Sequence, residues 1–353
     1  MKLDCIPPTF PAHFRLKKKI TPFQSSHPSA GVLDVNEKKS PQNRTDSTNH
    51  IKENQVNNKL PGRGPLSRRS FLAGAGGAAA LVTAVGCGDS TPMTALPTNT
   101  ASTTNAITDA DILNFALNLE YLEAEFYLCA VTGSGLSDAD AGSGAGAVTG
   151  GTQVVFKTPA IQQYAQEIAN DELAHVRFLR KALGSSAVSR PAIDLSNSFN
   201  AAAMAAGIGA AFNPFADENS FIVGAFTFED VGVTAYHGAA GLLSSKTYLA
   251  AAAGILATEA YHAGEIRTLI TELGAPYLTY ANQISALRAA AGGGAETMLS
   301  GTTIVAADSN SISYDRTTDQ VLHIVYLSAA SGVVSKGGFF PNGLNGTIKA
   351  TAS

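Results

Sequence analysis

Two four-residue stretches of this chain, Glu172-Leu173-Ala174-His175 and Glu259-Ala260-Tyr261-His262, carry the pattern Glu-x-x-His. On a helix, residues three apart share a face, so each stretch can aim one carboxylate and one imidazole at a single point. Carboxylates with one imidazole per metal suit iron or manganese better than thiolate-preferring metals. Two such pairs, completed by one Glu from each of two further helices, form the ligand set of a two-metal site in a four-helix bundle. The chain holds 13 Glu and 7 His in 353 residues. About 0.3 matches to the pattern are expected by chance, so two copies must be weighed with their surroundings.

The surroundings repeat as well. Ahead of the first copy lies Asn118-Leu119-Glu120-Tyr121-Leu122-Glu123-Ala124-Glu125-Phe126-Tyr127, and ahead of the second Phe228-Glu229-Asp230-Val231-Gly232-Val233-Thr234-Ala235-Tyr236. Both contain Glu-x6-Tyr, as Glu120 to Tyr127 and Glu229 to Tyr236. Seven residues make two helical turns, which places each tyrosine on its glutamate's face about 10 Å further along. The chain therefore reads twice as a helix bearing Glu and Tyr followed by a helix bearing Glu-x-x-His, an internal repeat of a helical hairpin.

Four helices must position these groups, and periodicity places them at roughly 108–131, 159–183, 218–242 and 247–273. In each, the polar residue interrupts an apolar face at helical spacing. Glu120 lies with Leu113, Leu117, Ala124 and Val131; Glu172 and His175 with Ile161, Ala165, Ile168 and Leu179. Glu229 lies with Ile222, Phe226 and Val233; Glu259 and His262 with Ile255, Leu256, Ile266 and Leu269. Four carboxylates converging in one core repel one another severely unless cations neutralise them. Gly184 and Gly274 close the second and fourth helices, with Pro191 and Pro276 as stops. Gly133–Gly151 reads as a flexible surface loop and 185–217 as a long crossover. Beyond 276, Ala281–Ala291 and Thr318–Ser328 look helical.

These residues resemble the ferritin-like superfamily, and within it the desiccation-related branch of exported bacterial and plant proteins. The resemblance spans Ile107 to Ala275. The segment from Asn118 to Tyr127 is similar to the first helix of ferritins, in which a Glu binds metal and a Tyr follows seven residues later. The tail Gly337-Gly338-Phe339-Phe340-Pro341-Asn342-Gly343-Leu344-Asn345-Gly346 also looks like the desiccation-related branch. The resemblance implies an all-α fold: an antiparallel four-helix bundle with one long crossover, here with a C-terminal helical extension over 276–353. It also implies a centre of two iron ions, or of manganese. Carried over residue by residue, the ligands are Glu120, Glu172, His175, Glu229, Glu259 and His262, with Glu172 and Glu229 as candidates to bridge both metals. In related di-iron enzymes an Asp at the place of Asp171 holds the His of the partner helix, here His262. Thr258 stands at the matching place before Glu259 and is a weaker partner. Tyr127 and Tyr236 are candidate catalytic groups; ligand orientation, interception of oxidising equivalents and plain core packing all fit them. Glu123 and Glu125 read as a solvated flank, with Glu123 the substitute ligand if Glu120 points away. Asp230 and Glu265 read as solvent-facing, His237 as a surface or edge residue, and His323 as no ligand.

The N-terminal third reads differently. Residues 1–66 are polar and rich in Lys and Asn, and disorder is expected. Ser67-Arg68-Arg69-Ser70-Phe71-Leu72 resembles a twin-arginine export signal, followed by an apolar stretch too short for a membrane span. It ends at Ala84-Val85-Gly86-Cys87, where a lipid anchor could attach, and a Thr/Ser/Pro linker runs over 89–106. A 66-residue extension before such a signal is unusual: either the start lies further along, the favoured reading, or the extension is real and cleaved. Export to the periplasm or cell envelope is the expectation. Residues 1–69 hold 13 Lys and Arg against 5 Asp and Glu, and the remainder 11 against 23. The acidic body argues against nucleic acid and anionic membranes as partners. No transmembrane span is expected in the mature protein. Cys129 is expected to pack as a small apolar residue.

Metal ions and dioxygen or peroxide are the expected partners, with a homo-oligomer also open. Whether the chain is an enzyme stays open too. A di-metal oxidoreductase of ferroxidase, peroxidase or catalase type is one reading. A stress- or desiccation-protective structural protein with a vestigial or structural metal site is the other. Iron storage in a cage is disfavoured by the C-terminal extension, which cage ferritins lack.

Overall fold

A computed structural model describes residues 106–329 and 331–352. The segments read as an extension, an export signal with Cys87, and nearly all of the linker lie outside the described residues. Four long helices carry the repeat: α1 over Asp109–Thr132, α3 over Pro159–Leu183, α5 over Glu218–Ala240 and α6 over Lys246–Leu273. Short helices α2 (Asp138–Ala141) and α4 (Asn197–Ala206) sit in the connections, and α7 (Tyr277–Gly292) and α8 (Thr318–Val325) form the C-terminal extension. No helix among the described residues is long and apolar enough to cross a membrane.

Local chemistry sets the ends. Thr108 and Asp111 form a reciprocal capping box at the start of α1, and Gly133 ends it in the left-handed conformation. Pro159 opens α3, where its missing N–H costs nothing. The side chains of Asp217 and Ser245 each accept one orphan N–H, that of Ser220 at the start of α5 and that of Tyr248 at the start of α6.

The four helices divide into two kinds. In α1, every residue from Ile112 to Ala130 is buried, and α5 is buried from Phe221 to Tyr236 except at Thr227. The two Glu-x-x-His helices bury one stripe each and expose the other, with Phe178 and Tyr261 outward. Helices hydrophobic all round need cover on every side. Here α7, α8, the crossover and the tail supply it. Phe126 of α1 contacts Phe199 of α4 and Phe221 and Phe228 of α5, and Phe228 in turn meets Phe339 of the tail. Asn118 clamps the tail by donating to the Asn345 carbonyl at 2.9 Å and accepting its N–H at 3.0 Å. The motif that looked like a family signature is thus a strap across α1.

Four surface expectations are corrected. The 133–151 segment is not a bare loop: it carries α2 and strand β1 (Val148–Thr149), which pairs in parallel with β2 (Ile193–Asp194) of the crossover. Glu125 is not solvated. It is buried beneath this segment in an ion pair with Arg190, in the space Gly135 leaves free. Asp230 is buried too. Arg267 and Arg288 reach its Oδ2 at 2.8 and 2.7 Å, and Arg288 and Arg316 both bind Glu296. Three arginines and two carboxylates thereby tie α7 and the 293–317 segment to α5 and α6. Glu265 is half-buried rather than fully solvent-facing. His237 stays at the edge, 3.1 Å from the Tyr314 carbonyl, and Cys129 is buried.

Removing one member of a buried network strands the others. Arg288→Met should destabilise the protein by roughly 3–5 kcal/mol, read from denaturant unfolding. Burial would raise Glu296, but Arg288 and Arg316 outweigh it and hold the carboxyl below its usual 4.5. Its stabilisation is therefore complete above that value and is lost as the pH falls through the lowered one. Asp230 and Arg267 are the other charges facing this network. The difference in unfolding free energy between wild type and Glu296→Gln should be constant near neutrality and shrink in acid.

Candidate metal centre

Glu120, Glu172, Glu229, Glu259, His175 and His262 meet in the middle of the bundle, all buried. Their ligand atoms form two groups, Glu120, Glu172, His175 and Glu259 in one, and Glu172, Glu229 and His262 in the other. His175 Nδ1 lies 3.1 Å from Glu120, 3.4 Å from Glu172 and 3.6 Å from Glu259. His262 Nδ1 lies 3.0 Å from Glu172 and 3.6 Å from Glu229. Both imidazoles present the same nitrogen inward, with ring centroids 6.4 Å apart. Glu172 alone belongs to both groups; Glu229, the other bridging candidate, belongs to one.

The pairings fix the directions of the helices. Glu172 meets His262 while His175 meets Glu259, so α3 and α6 run antiparallel. Tyr127 donates to Glu229 and Tyr236 donates to Glu120. Each tyrosine holds the glutamate of the other hairpin, which requires α1 and α5 to be antiparallel as well. Asp171 stands 3.2 Å from His262 Nε2, the nitrogen turned away from the centre, and so can fix that ring's tautomer. Thr258 does not do the same for His175. Its hydroxyl turns back to the Gly254 carbonyl of its own helix at 3.4 Å.

Residues 108–272 match the family described as Ferritin-like domain. The chain is 31% identical to the ferritin-like catalase Nec2 of Nesocodon mauritianus over 274 residues, 69% of this chain and 86% of that protein. It is 30% identical to the desiccation-related protein PCC13-62 of Craterostigma plantagineum over 241 residues, 61% of this chain and 76% of that protein. The chain belongs to the ferritin-like superfamily and its desiccation-related family. The all-α bundle expected of such a protein is the fold observed.

The donor set of this ferritin-like chain can be tested for fit to cations on its own geometry. Both carboxylate oxygens of Glu172 and of Glu259, Oε2 of Glu229 and Nδ1 of His262 are buried without a hydrogen-bond partner. Buried polar atoms are nearly always paired, so six orphans facing one volume mark a place for bound cations. Hard oxygen donors with one imidazole in each group suit iron or manganese.

Without cations the cage is electrostatically strained. Burial pushes Glu120 up to about 7 and Glu229 up to about 8, and holds Glu259 well above the carboxylate range. Glu172 is the exception: burial is outweighed by the two imidazoles, which hold it at about 2. Burial would lower both histidines, but the surrounding carboxylates push His175 up to about 11 and His262 to about 9. Ligation needs neutral imidazole and ionised carboxylate, so loading must expel protons.

Glu123 joins the carboxylates of the centre, where its sequence position suggested a solvated flank or a substitute for Glu120. Glu123 is only 4% exposed and lies among the charges of Glu172, Glu120 and Glu229. The signal was present, since Glu123 is one turn after Glu120 and shares its face. It read as a flank because α1 was expected to have an exposed side. Where a buried carboxylate lacks a partner, an apolar side chain of similar volume relieves the core. Glu259→Met should therefore stabilise the metal-free protein by roughly 1–4 kcal/mol. Ferrous or manganous ion should raise the melting temperature of the wild type, and Glu259→Met should abolish that rise.

Proposed function

We propose that the protein holds two metal ions, iron or manganese, in this cage and uses them to react with dioxygen or peroxide. The observation that carries the reading is the set of six buried ligand atoms that make no hydrogen bond and cluster around one volume. The likeness to a protein named a catalase supports a redox role for the centre over a purely structural one. Bound in the cage, two such metals would supply reversible two-electron chemistry at a shared site.

The chain's own residues then have separate tasks. Glu120, His175 and Glu259 would hold one ion and Glu229 and His262 the other, with Glu172 belonging to both groups. Tyr127 and Tyr236 hold Glu229 and Glu120 in place, and each phenol is close enough to give a proton to a carboxylate oxygen or take one back. Asp171 orients His262 and opens toward solvent, its side chain 42% exposed, so it also offers protons a way out during loading. A groove lined in part by Tyr164 of α3 and by Tyr261, Glu265 and Glu272 of α6 carries two carboxylates that suit the approach of cations. Export by a twin-arginine route fits this chemistry, since that route moves folded proteins already carrying their metals. Anchoring at Cys87 belongs to the same proposal.

A second reading, a stress-protective protein with a structural site, draws on the relative named desiccation-related. Metal analysis after anaerobic reconstitution tests the first requirement. About two ions per chain are expected, and fewer than one would sink the reading. Glu172→Ala separates the two readings: a redox protein should lose at least 100-fold in peroxide or oxygen turnover, on the order of 3 kcal/mol, whereas a structural protein has no turnover to lose.

A further inference from the structure

A cavity of about 40 Å³ lies against the metal centre, walled by α1, α4, α5, α7 and α8 and by no residue of α3 or α6. Its lining is apolar, with Leu122, Val231, Ile284, Ala291 and Phe339 prominent. Few polar side chains reach it. Arg288 is fully engaged by Asp230, Glu296 and the Phe226 carbonyl, and the Thr227 hydroxyl is turned to its own helix. That leaves the carboxyl of Glu123, which takes part in no hydrogen bond or ion pair among the described residues. A cavity this size has room for a few water-sized molecules, but a buried water needs two to four polar partners. This one offers a single free group, so it suits a small apolar guest.

The wall between cavity and centre is Gly232. A glycine inside a helix costs about 1 kcal/mol relative to alanine, and here close approach explains it. A Cβ at this position would stand 2.1 Å from Glu259 Oε2 and 3.3 Å from Glu123 Oε1. Gly232 therefore leaves open the spot where a ligand carboxylate, the unassigned carboxyl and the cavity come together.

Resting on the functional reading above, we infer that this cavity is a dioxygen chamber for the metal centre, with Glu123 as the polar group between chamber and metals. Dioxygen is the molecule consumed if the centre oxidises with it, and the molecule released if the centre disproportionates peroxide. Its chemistry, small, uncharged and apolar, is the same either way. The C-terminal extension then has a defined role, because α7 and α8 build the chamber's outer wall.

Xenon-pressurised crystals of the metal-free protein give a readout independent of turnover. A xenon peak is expected between Val231, Ile284 and Phe339; an empty chamber overturns the inference. Ile284→Phe, with Ala291→Leu as a second filling variant should the first fold poorly, should lose the peak. Both should take up as much metal as the wild type. They should slow oxygen consumption by the ferrous protein, or oxygen release from peroxide, by tenfold or more, and which of the two slows separates entry from exit. Turnover left unchanged by filling overturns the chamber and leaves the functional reading intact. A fully loaded wild type that turns over neither oxidant overturns that reading, and the chamber with it.

Discussion

The structure depends on one unfavourable fact: several carboxylates are buried together with too few positive charges to balance them. Glu120, Glu123, Glu172, Glu229 and Glu259 share a core with two imidazoles. Such a core survives only if its neighbours hold the groups in place and the rest of the protein supplies excess stability. The two phenols, the Asp171 contact and the thick apolar jacket are all answers to that demand. Function and stability therefore pull against each other at this point, as they commonly do at sites built for charge.

The jacket explains an otherwise odd division of labour. The helices bearing Glu and Tyr are wrapped on all sides, while those bearing Glu-x-x-His keep a wet face. The centre thus has two unlike surroundings. One side is acidic and open, suited to cations and protons. The other is closed and apolar, sealed by an extension pinned through Asp230, Glu296 and their arginines. Low dielectric on one flank strengthens every charge interaction at the centre.

Much of this was legible from spacing. Helix α3 falls at Pro159–Leu183 as periodicity places it, and the other three bundle helices agree within two residues at either end. Periodicity was informative there because a proline, glycines and capping side chains coincide with it. The pairing of Asp171 with His262 followed from the resemblance, since the register of the Glu-x-x-His helices sets it. What could not be read was cover. Glu123, Glu125 and Asp230 look like surface residues on helices assumed to have a polar side, and only the packing of distant segments buries them. Asp230 finds Arg267 and Arg288, 37 and 58 residues away. No local pattern encodes such partners. Thr258 shows the converse: its position matched, but a threonine hydroxyl has its own carbonyl four residues back as a nearer acceptor.

The crossed tyrosines carry an implication for how such a molecule can be built or taken apart. Within one hairpin, Glu and Tyr sit two turns apart, about 10 Å, and cannot touch. Contact arises only when a second hairpin lies head to tail against the first, so that each completes what the other lacks. The repeat is therefore not a pair of autonomous modules placed side by side. It is one object divided between two stretches of chain, and in principle two separate chains of the same kind could assemble it. A lesion in either half reaches the buried carboxylates of both.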